Sequence, residues 1–243
     1  MRGIGLAMLA AAALSACAGP GGGAASTRAD DAAFMALPPI AEPGAVAATE
    51  IAFARAAREQ GQWTAFRDYA ADDAILFVPG RVGAREWLRD RPNPPQAADW
   101  RPRELWTSCD GSIAVTEGGW QRWDGTRGWF TTVWKRQRDG SYRYVMNHGD
   151  TTKGRVRTGE ALDAHVAQCP DRDWLPPIAL NTVAPVEGDW FGGASDDGTL
   201  RWGGRVDPWG GRIVTVDVFD GEEFVRVLHQ TVPPPGAGIA REQ

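Results

Sequence analysis

The pattern of apolar and polar residues predicts helices first and strands afterwards. From residue 45 the apolar residues recur with the spacing of one helix face, and most charged residues, Glu50 among them, fall elsewhere. Gly61 is a natural residue to end this helix. Two further helices are predicted at about 63–71 and 83–89, with a short apolar strand at 74–79 between them. The apolar face of the first helix is formed by Ile51, Phe53, Ala54 and Ala57.

From residue 100 the period changes to the alternation of strands. Segments at about 101–108, 112–123, 127–138 and 141–148 are separated by Asp-Gly pairs at 110, 124 and 139. Asp-Gly between alternating segments is a strong hairpin signal, and we expect both central positions of each tight turn to have positive φ. The predicted fold class is therefore α+β, with a strongly bent antiparallel sheet packed on about three N-terminal helices.

The remainder of the chain predicts a connection and a small β-rich extension. Residues 151–189 are mostly polar and contain Cys169, whereas residues 190–243 read as strands and turns. About 45 residues is marginal for an independent β module, so we expect this extension to dock on the first domain.

The first residues have the features of a targeting segment. Arg2 precedes an apolar run, residues 6–13, that is too short to cross a bilayer as a mature helix. The run ends in Leu14-Ser15-Ala16-Cys17, which resembles a bacterial lipoprotein signal in which Cys17 is acylated. We therefore predict a signal peptide at 1–16 and a flexible tether at 17–44. The alternative is an ordinary secretory signal with an incidental Cys17.

This signal would place the protein in the bacterial cell envelope, lipid-anchored through Cys17 and facing the periplasm. Cys109 and Cys169 then lie in an oxidising compartment, where a disulfide between them is plausible. Two separate buried thiols are the alternative.

Composition and charge exclude several classes of function. The formal net charge of −5 and the absence of a basic cluster argue against nucleic acid as a partner. The three histidines are scattered along the chain, and the sequence lacks the nucleophile-elbow, phosphate-loop and zinc-protease motifs. We predict no metal site and no cofactor. Twelve tryptophans, by contrast, favour aromatic pockets or interfaces.

The segment 45–150 resembles the nuclear transport factor 2-like superfamily, and within it the SnoaL-like branch. The matching features are the opening amphipathic helix, the stretch GQWTAFRDYAADDAILFVPG at 61–80, and the hairpins of 110–150. The resemblance implies a cone formed by a curved sheet wrapped against helices, with a pocket at its open end. Members include isomerases, dehydratases, hydrolases and cyclases, so the resemblance specifies fold better than function.

A candidate site follows from the last strand of this segment. By the strand period of two, Tyr142, Tyr144, Met146, His148 and Asp150 share a face. His148 could act as a general base whose tautomer is fixed by Asp150. Alternatively, both residues finish a strand and bond to loops. The predicted pocket is lined by Trp120, Trp134, Tyr144, Met146 and Asp68.

Because no complete catalytic set is present, the leading hypothesis is non-enzymatic. It is a cell-envelope lipoprotein whose cone-shaped domain binds a small apolar or aromatic ligand or serves in assembly. The alternative is a cofactor-free lyase, isomerase or hydrolase of the SnoaL-like type that acts on a small carbonyl compound. The open sheet face could also form a homodimer, as is common in the family.

Overall fold

The computed structural model describes residues 40–154, 161–170 and 188–236, all of which belong to one unit, Pro39–Gln243. The predicted signal peptide, Cys17 and nearly all of the tether lie outside these residues. Among the described segments, no helix combines the length and apolar character needed to cross a membrane.

Helix α1, Pro43–Gln60, begins at a proline and ends at Gly61, whose φ of 106° favours glycine. The predicted buried face is correct for Phe53 but wrong at two positions. Ile51 is 51% exposed, whereas Glu50 is fully buried. The reason is that polar donors on the sheet contact Glu50, and an apolar pattern along one helix cannot show them.

Two short helices and two strands follow in the predicted order. They are α2, Gln62–Tyr69; β1, Ala70–Phe77; β2, Arg81–Gly83; and α3, Ala84–Leu88. Strand β1 is longer than predicted because it begins directly where α2 ends. Ala65 and Leu88 are fully buried, which fixes α2 and α3 to the same core.

The predicted meander is confirmed. Its strands are β3, Asp99–Thr107; β4, Ile113–Gln121; β5, Arg127–Arg136; and β6, Tyr142–Thr151. The curved sheet is nevertheless mixed and has seven strands, in the order β2-β1-β6-β5-β4-β3-β7, where β7 is Asp163–Val166. Strand β1 runs parallel to β6, and β7 runs parallel to β3. The purely antiparallel sheet of the prediction therefore gains a parallel pair on either side of the meander.

The Asp-Gly turns of the meander differ in detail from the prediction. In each, the glycine N–H donates to the carbonyl three residues earlier, as from Gly111 to Ser108. The glycine is thus the fourth residue of the turn, and its positive φ lets the chain enter the next strand.

The extension forms a second, antiparallel sheet of four strands in the order β11-β10-β9-β8. The strands are β8, Asp189–Ala194; β9, Leu200–Val206; β10, Arg212–Phe219; and β11, Phe224–Val232. Its apolar residues, such as Leu200 and Val216, belong to the same core as those of the first sheet. The extension therefore does not fold around a separate core, in agreement with the expected docking.

Two turns of similar sequence, 108–112 and 195–199, interlock at the contact between the two sheets. In each turn one oxygen of the aspartate carboxylate accepts hydrogen bonds from its own turn. The second oxygen bonds the other turn: the Asp110 N–H donates to Asp197 (2.8 Å), and the Asp197 N–H donates to Asp110 (3.1 Å). This reciprocal pairing fixes the position of the second sheet.

The predicted disulfide is present between Cys109 and Cys169, whose Cα atoms are 5.1 Å apart. It closes the interlocked turns onto the segment that follows β7. That segment also bonds both sheets, because the Ala167 N–H donates to Thr107 and the Gln168 N–H donates to Phe219. The described part of the connection is thus an edge strand and a covalent link, whereas 155–160 and 171–187 lie outside the described residues.

A β-bulge divides β6 into two halves with opposite orientation. Trp134 pairs with Tyr144, but the preceding residue Val133 pairs with Met146, so Val145 is an extra residue. A shift of one residue moves every later side chain to the other face of the sheet.

The single face predicted for alternate residues of β6 is therefore wrong. Before the bulge, the Tyr144 hydroxyl donates to the Phe66 carbonyl of α2, on the helix side. After the bulge, His148 contacts Gln230 of β11, on the side of the second sheet. The first sheet thus separates a helical layer from the extension, and the extension covers the region around His148.

Candidate functional site

A cavity of about 600 Å³ opens where β1 and β6 end. One side of its wall carries aromatic rings from the helices and the meander: Phe53, Trp63, Phe66, Trp100, Trp120 and Phe130. Its rim is formed by the end of β6 together with the extension, including His148, Gly149, Asp150, Arg212 and the Pro233–Pro235 segment. The docking of the extension therefore completes the cavity.

Of the five predicted pocket residues, only Trp120 lines this cavity. Trp134, Tyr144 and Met146 are completely buried and lie outside its wall, and Asp68 is exposed. The reason is that α1 and α2 pack tightly over the part of the sheet that carries Trp134 and Tyr144. The hollow remains only beyond the bulge, towards the ends of the strands.

His148 lies at the rim with both ring nitrogens engaged. Its Nε2 is 2.8 Å from Oε1 of Gln230, and its Nδ1 accepts from Nε of Arg212 at 3.3 Å. Because the Arg212 Nε–H can only donate, Nδ1 carries the lone pair and the Nε2–H donates to Gln230. Phe77 and Trp129 contact the ring edge-on.

The surroundings of His148 keep the ring neutral. The side chain is 1% exposed, and burial, followed by the charge of Arg212, lowers the pKa of His148 from 6.5 to about 3. The hydrogen bond to Gln230 opposes this shift only in part. At neutral pH the ring is thus a fixed hydrogen-bonding group with its lone pair already occupied.

Asp150 does not hold the imidazole of His148. Its Oδ1 accepts the N–H of Thr151 at 2.7 Å, and the positions expected for a tautomer-fixing carboxylate are taken by Gln230 and Arg212. Asp150 does line the cavity beside His148. The tautomer of His148 is set by Gln230 and Arg212 of the extension. A catalytic role for His148 and Asp150 stays a prediction.

Arg212, the first residue of β10, crosses from the extension to the first sheet. Besides His148, it donates to the carbonyl of Gly149 (2.6 Å) and to that of Pro79 (3.3 Å). The guanidinium carbon lies 5.0 Å from the centre of the Phe77 ring. Arg212 is 5% exposed and lines the cavity, and burial lowers its pKa while the charge of Asp150 partly raises it.

A second buried polar cluster lies on the helix side of the sheet, around Glu50. The carboxylate accepts from the indoles of Trp100 (2.7 Å) and Trp134 (3.2 Å) and from the hydroxyl of Thr116 (2.6 Å). Burial raises the pKa of Glu50, and these three hydrogen bonds oppose the shift. Glu50 does not line the cavity, but it fixes Trp100, which does.

Three residues of these clusters were missed from the sequence. Glu50 was assigned to the polar side of its helix, and Arg212 and Gln230 belong to an extension expected only to dock. A signal for Arg212 exists, since by the strand period of two it shares a face with the apolar residues Val214, Val216 and Val218. Its partners are 63 residues or more away in sequence, so the contact itself could not be inferred.

A metal centre is not evident in the described parts of the chain, where no three histidine, cysteine or acidic side chains group closely enough to hold an ion.

No protein-family model and no curated protein matches this sequence. Among solved structures, it is similar to a ketosteroid isomerase-like protein from Erwinia carotovora atroseptica (14% identity, 46% of this chain and 98% of that chain, TM-score 0.36). It is also similar to the CaMKII hub of S. rosetta (17% identity, 47% and 99%, TM-score 0.36). A third structure is an NTF2-like protein of unknown function from Mesorhizobium loti (15% identity, 47% and 96%, TM-score 0.31).

The structural neighbours are thus ketosteroid isomerase-like and nuclear transport factor 2-like proteins, each aligned with about half of this chain. At these identities and TM-scores the similarities assign no activity.

Proposed function

We propose that residues 45–150 form a SnoaL-like domain of the nuclear transport factor 2-like superfamily whose cavity binds a small molecule without transforming it. The order of helices and meander, and the curved sheet around an aromatic hollow, support this proposal. Pockets of a few hundred Å³ lined mainly by apolar and aromatic side chains, with a small number of polar groups, are typical of small-ligand sites.

The observation that carries the proposal is the combination of an aromatic wall with an occupied histidine. A general base needs a free lone pair within reach of the substrate proton. The lone pair of His148 receives the Arg212 Nε–H, and its pKa of about 3 makes it a weak base. Binding therefore accounts for the site better than acid–base catalysis does.

We also propose that the protein is a lipoprotein of the bacterial cell envelope, anchored through Cys17 and facing the periplasm. The sequence Leu14-Ser15-Ala16-Cys17 after a short apolar run supports the anchor, and a disulfide between Cys109 and Cys169 suits an oxidising compartment. Mass spectrometry of the mature protein from a bacterial host tests it. We expect an acylated Cys17 as the first residue, and an unmodified Cys17 would contradict the anchor.

A homodimer also stays a prediction. The extension covers the sheet face near His148, so a dimer through that face would have to use other parts of it. Light scattering on the delipidated protein measures the state directly.

Binding to the cavity can be tested with a neutral aromatic probe, N-phenylnaphthylamine, whose fluorescence rises in apolar surroundings. Ala98 is a small residue in the cavity wall, and Ala98→Leu would fill part of the hollow. We expect the wild-type chain to bind the probe and Ala98→Leu to weaken binding about tenfold, or about 1.4 kcal/mol.

The matched control is Ala97→Leu, which adds the same side chain at the neighbouring position outside the cavity wall. It should bind like wild type. Absence of probe binding by the wild-type chain, or equal weakening by the two variants, would contradict the proposed function.

A further inference from the structure

We propose that the ligand of this cavity is an aromatic carboxylate and that Arg212 binds its carboxylate group. This inference rests on the proposed function and specifies the chemical class of the ligand. The recognising group comes from the extension rather than from the SnoaL-like domain, so the extension supplies the ligand specificity.

The hydrogen bonds of Arg212 leave donors available. A guanidinium has five N–H groups. In Arg212 one donates to His148, one to Gly149 and one to Pro79, which accounts for three. All three acceptors are uncharged, and they fix the plane of the guanidinium at the rim while two N–H groups remain for a ligand.

The positive charge of Arg212 has no ion-pair partner among the described residues. Every salt bridge found there joins other side chains. Asp150 is close enough to favour the charged form of Arg212, but its carboxylate bonds Thr151 instead. A buried cation without a direct anion is costly, and a bound carboxylate would relieve that cost.

The other charges of the cavity wall agree with an anionic ligand. Arg122 lies against Trp120, with its guanidinium carbon 5.1 Å from the ring centre, and it lines the same cavity. Two arginines and one aspartate therefore give the wall a net charge of about +1 when His148 is neutral.

The body of the ligand is specified by the aromatic wall. Rings such as Trp63, Trp100 and Phe130 offer faces and edges for stacking but few polar atoms. The indole N–H of Trp100 donates to Glu50, so the ring presents only apolar surface to the cavity. A ligand with a planar aromatic body and one carboxylate would contact both the aromatic wall and Arg212.

A matched pair of ligands tests the inference: naphthylacetate and its neutral isostere naphthylacetamide, titrated into the full chain by calorimetry. We expect the acid to bind at least about tenfold more tightly than the amide. In Arg212→Gln this preference should disappear while the amide binds as before, and Arg212→Lys should retain part of it.

The control is Arg138→Gln, which removes an exposed arginine outside the cavity wall and should keep the preference. Equal binding of acid and amide by the wild-type chain would overturn the inference and leave the proposed function standing. Loss of the preference in Arg122→Gln but not in Arg212→Gln would also overturn it. Binding of neither compound would contradict both proposals. The comparison of acid with amide uses the wild-type chain, so it does not depend on whether a variant folds.

Discussion

The two buried polar clusters lie on opposite faces of one sheet and differ in how completely they are paired. On the helix side, three donors converge on the Glu50 carboxylate, which is not part of the cavity wall. On the extension side, Arg212 bonds only neutral acceptors and borders a hollow of about 600 Å³. Both residues are buried, with Glu50 0% and Arg212 5% exposed.

This difference separates a structural role from a binding role. A buried charge that is fully satisfied within the protein orders its surroundings, as Glu50 orders Trp100 and Trp134. A buried charge whose donors are partly unused, beside a cavity, is suited to a partner from outside. Burial alone would have ranked the two clusters together.

The largest expected effect on stability comes from disrupting the fully paired cluster around Glu50. Glu50→Ala leaves the Trp100 indole N–H and the Thr116 hydroxyl without their acceptor, while the Trp134 indole keeps its bond to Thr116. We expect a loss of about 4 kcal/mol in the free energy of unfolding. Urea unfolding followed by tryptophan fluorescence measures it. Glu59→Ala, at an exposed position of the same helix, is the control and should change stability little. A loss below about 1 kcal/mol in Glu50→Ala would contradict the structural role.

The second effect concerns the disulfide that helps to hold the extension, and with it Arg212, in place. Replacing Cys109 and Cys169 by serine removes a crosslink between residues 60 apart, for which we expect a loss of about 3 kcal/mol. The same change should loosen the extension that carries Arg212 and so weaken naphthylacetate binding. Calorimetry and urea unfolding of the double variant provide both readouts. Unchanged binding would show that the disulfide is not needed to position Arg212.

The third effect is a pH dependence from His148. The folded state holds the ring neutral down to a pKa of about 3, whereas the unfolded chain takes up the proton below about 6.5. Stability from this residue is therefore present above pH 6.5 and is lost as pH falls towards 3, by about 2–3 kcal/mol between pH 7 and pH 4.

Glu50 works in the opposite direction, because its raised pKa makes the folded state hold a proton more tightly than the unfolded chain does. The stability that Glu50 contributes falls as the pH rises above 4.5, the ordinary pKa of a glutamate. Unfolding measured from pH 4 to pH 7 should show a shallower acid loss in His148→Gln than in wild type. Parallel curves would mean that His148 is accessible to protons in the folded state.

The smallest effect concerns Gln230, which accepts from both His148 and Thr131. Gln230→Ala should cost about 1–2 kcal/mol, because the ring N–H and the hydroxyl lose their shared acceptor. Gln137→Ala, whose side chain makes one exposed bond to Lys135, should cost much less. Thermal unfolding of the two variants side by side gives the comparison, and equal losses would argue against a fixed His148 tautomer.

The elements of the fold were largely predictable from the sequence because their signals are local. Helical spacing at the start and Asp-Gly pairs between alternating segments specify α1 and the four strands of the meander. The parallel pairings of β1 and β7 were not predictable, since they join segments about 60 to 75 residues apart.

The site was less predictable, and the reasons are specific. The bulge at Val145 reverses the faces of β6, so His148 and Tyr144 lie on opposite sides of the sheet. The alternation of residue types in the sequence does not reveal this bulge. Trp120 lines the cavity because it lies near the end of β4, where the hollow remains. Glu50 and Arg212 were missed because their partners come from distant elements.

The most direct test is a crystal structure of the full chain with naphthylacetate. The account predicts a carboxylate within hydrogen-bonding distance of the Arg212 guanidinium, an aromatic body among the rings of the cavity wall, and an unchanged Glu50 cluster. A carboxylate bound to Arg122 alone, or a ligand outside the cavity, would contradict it.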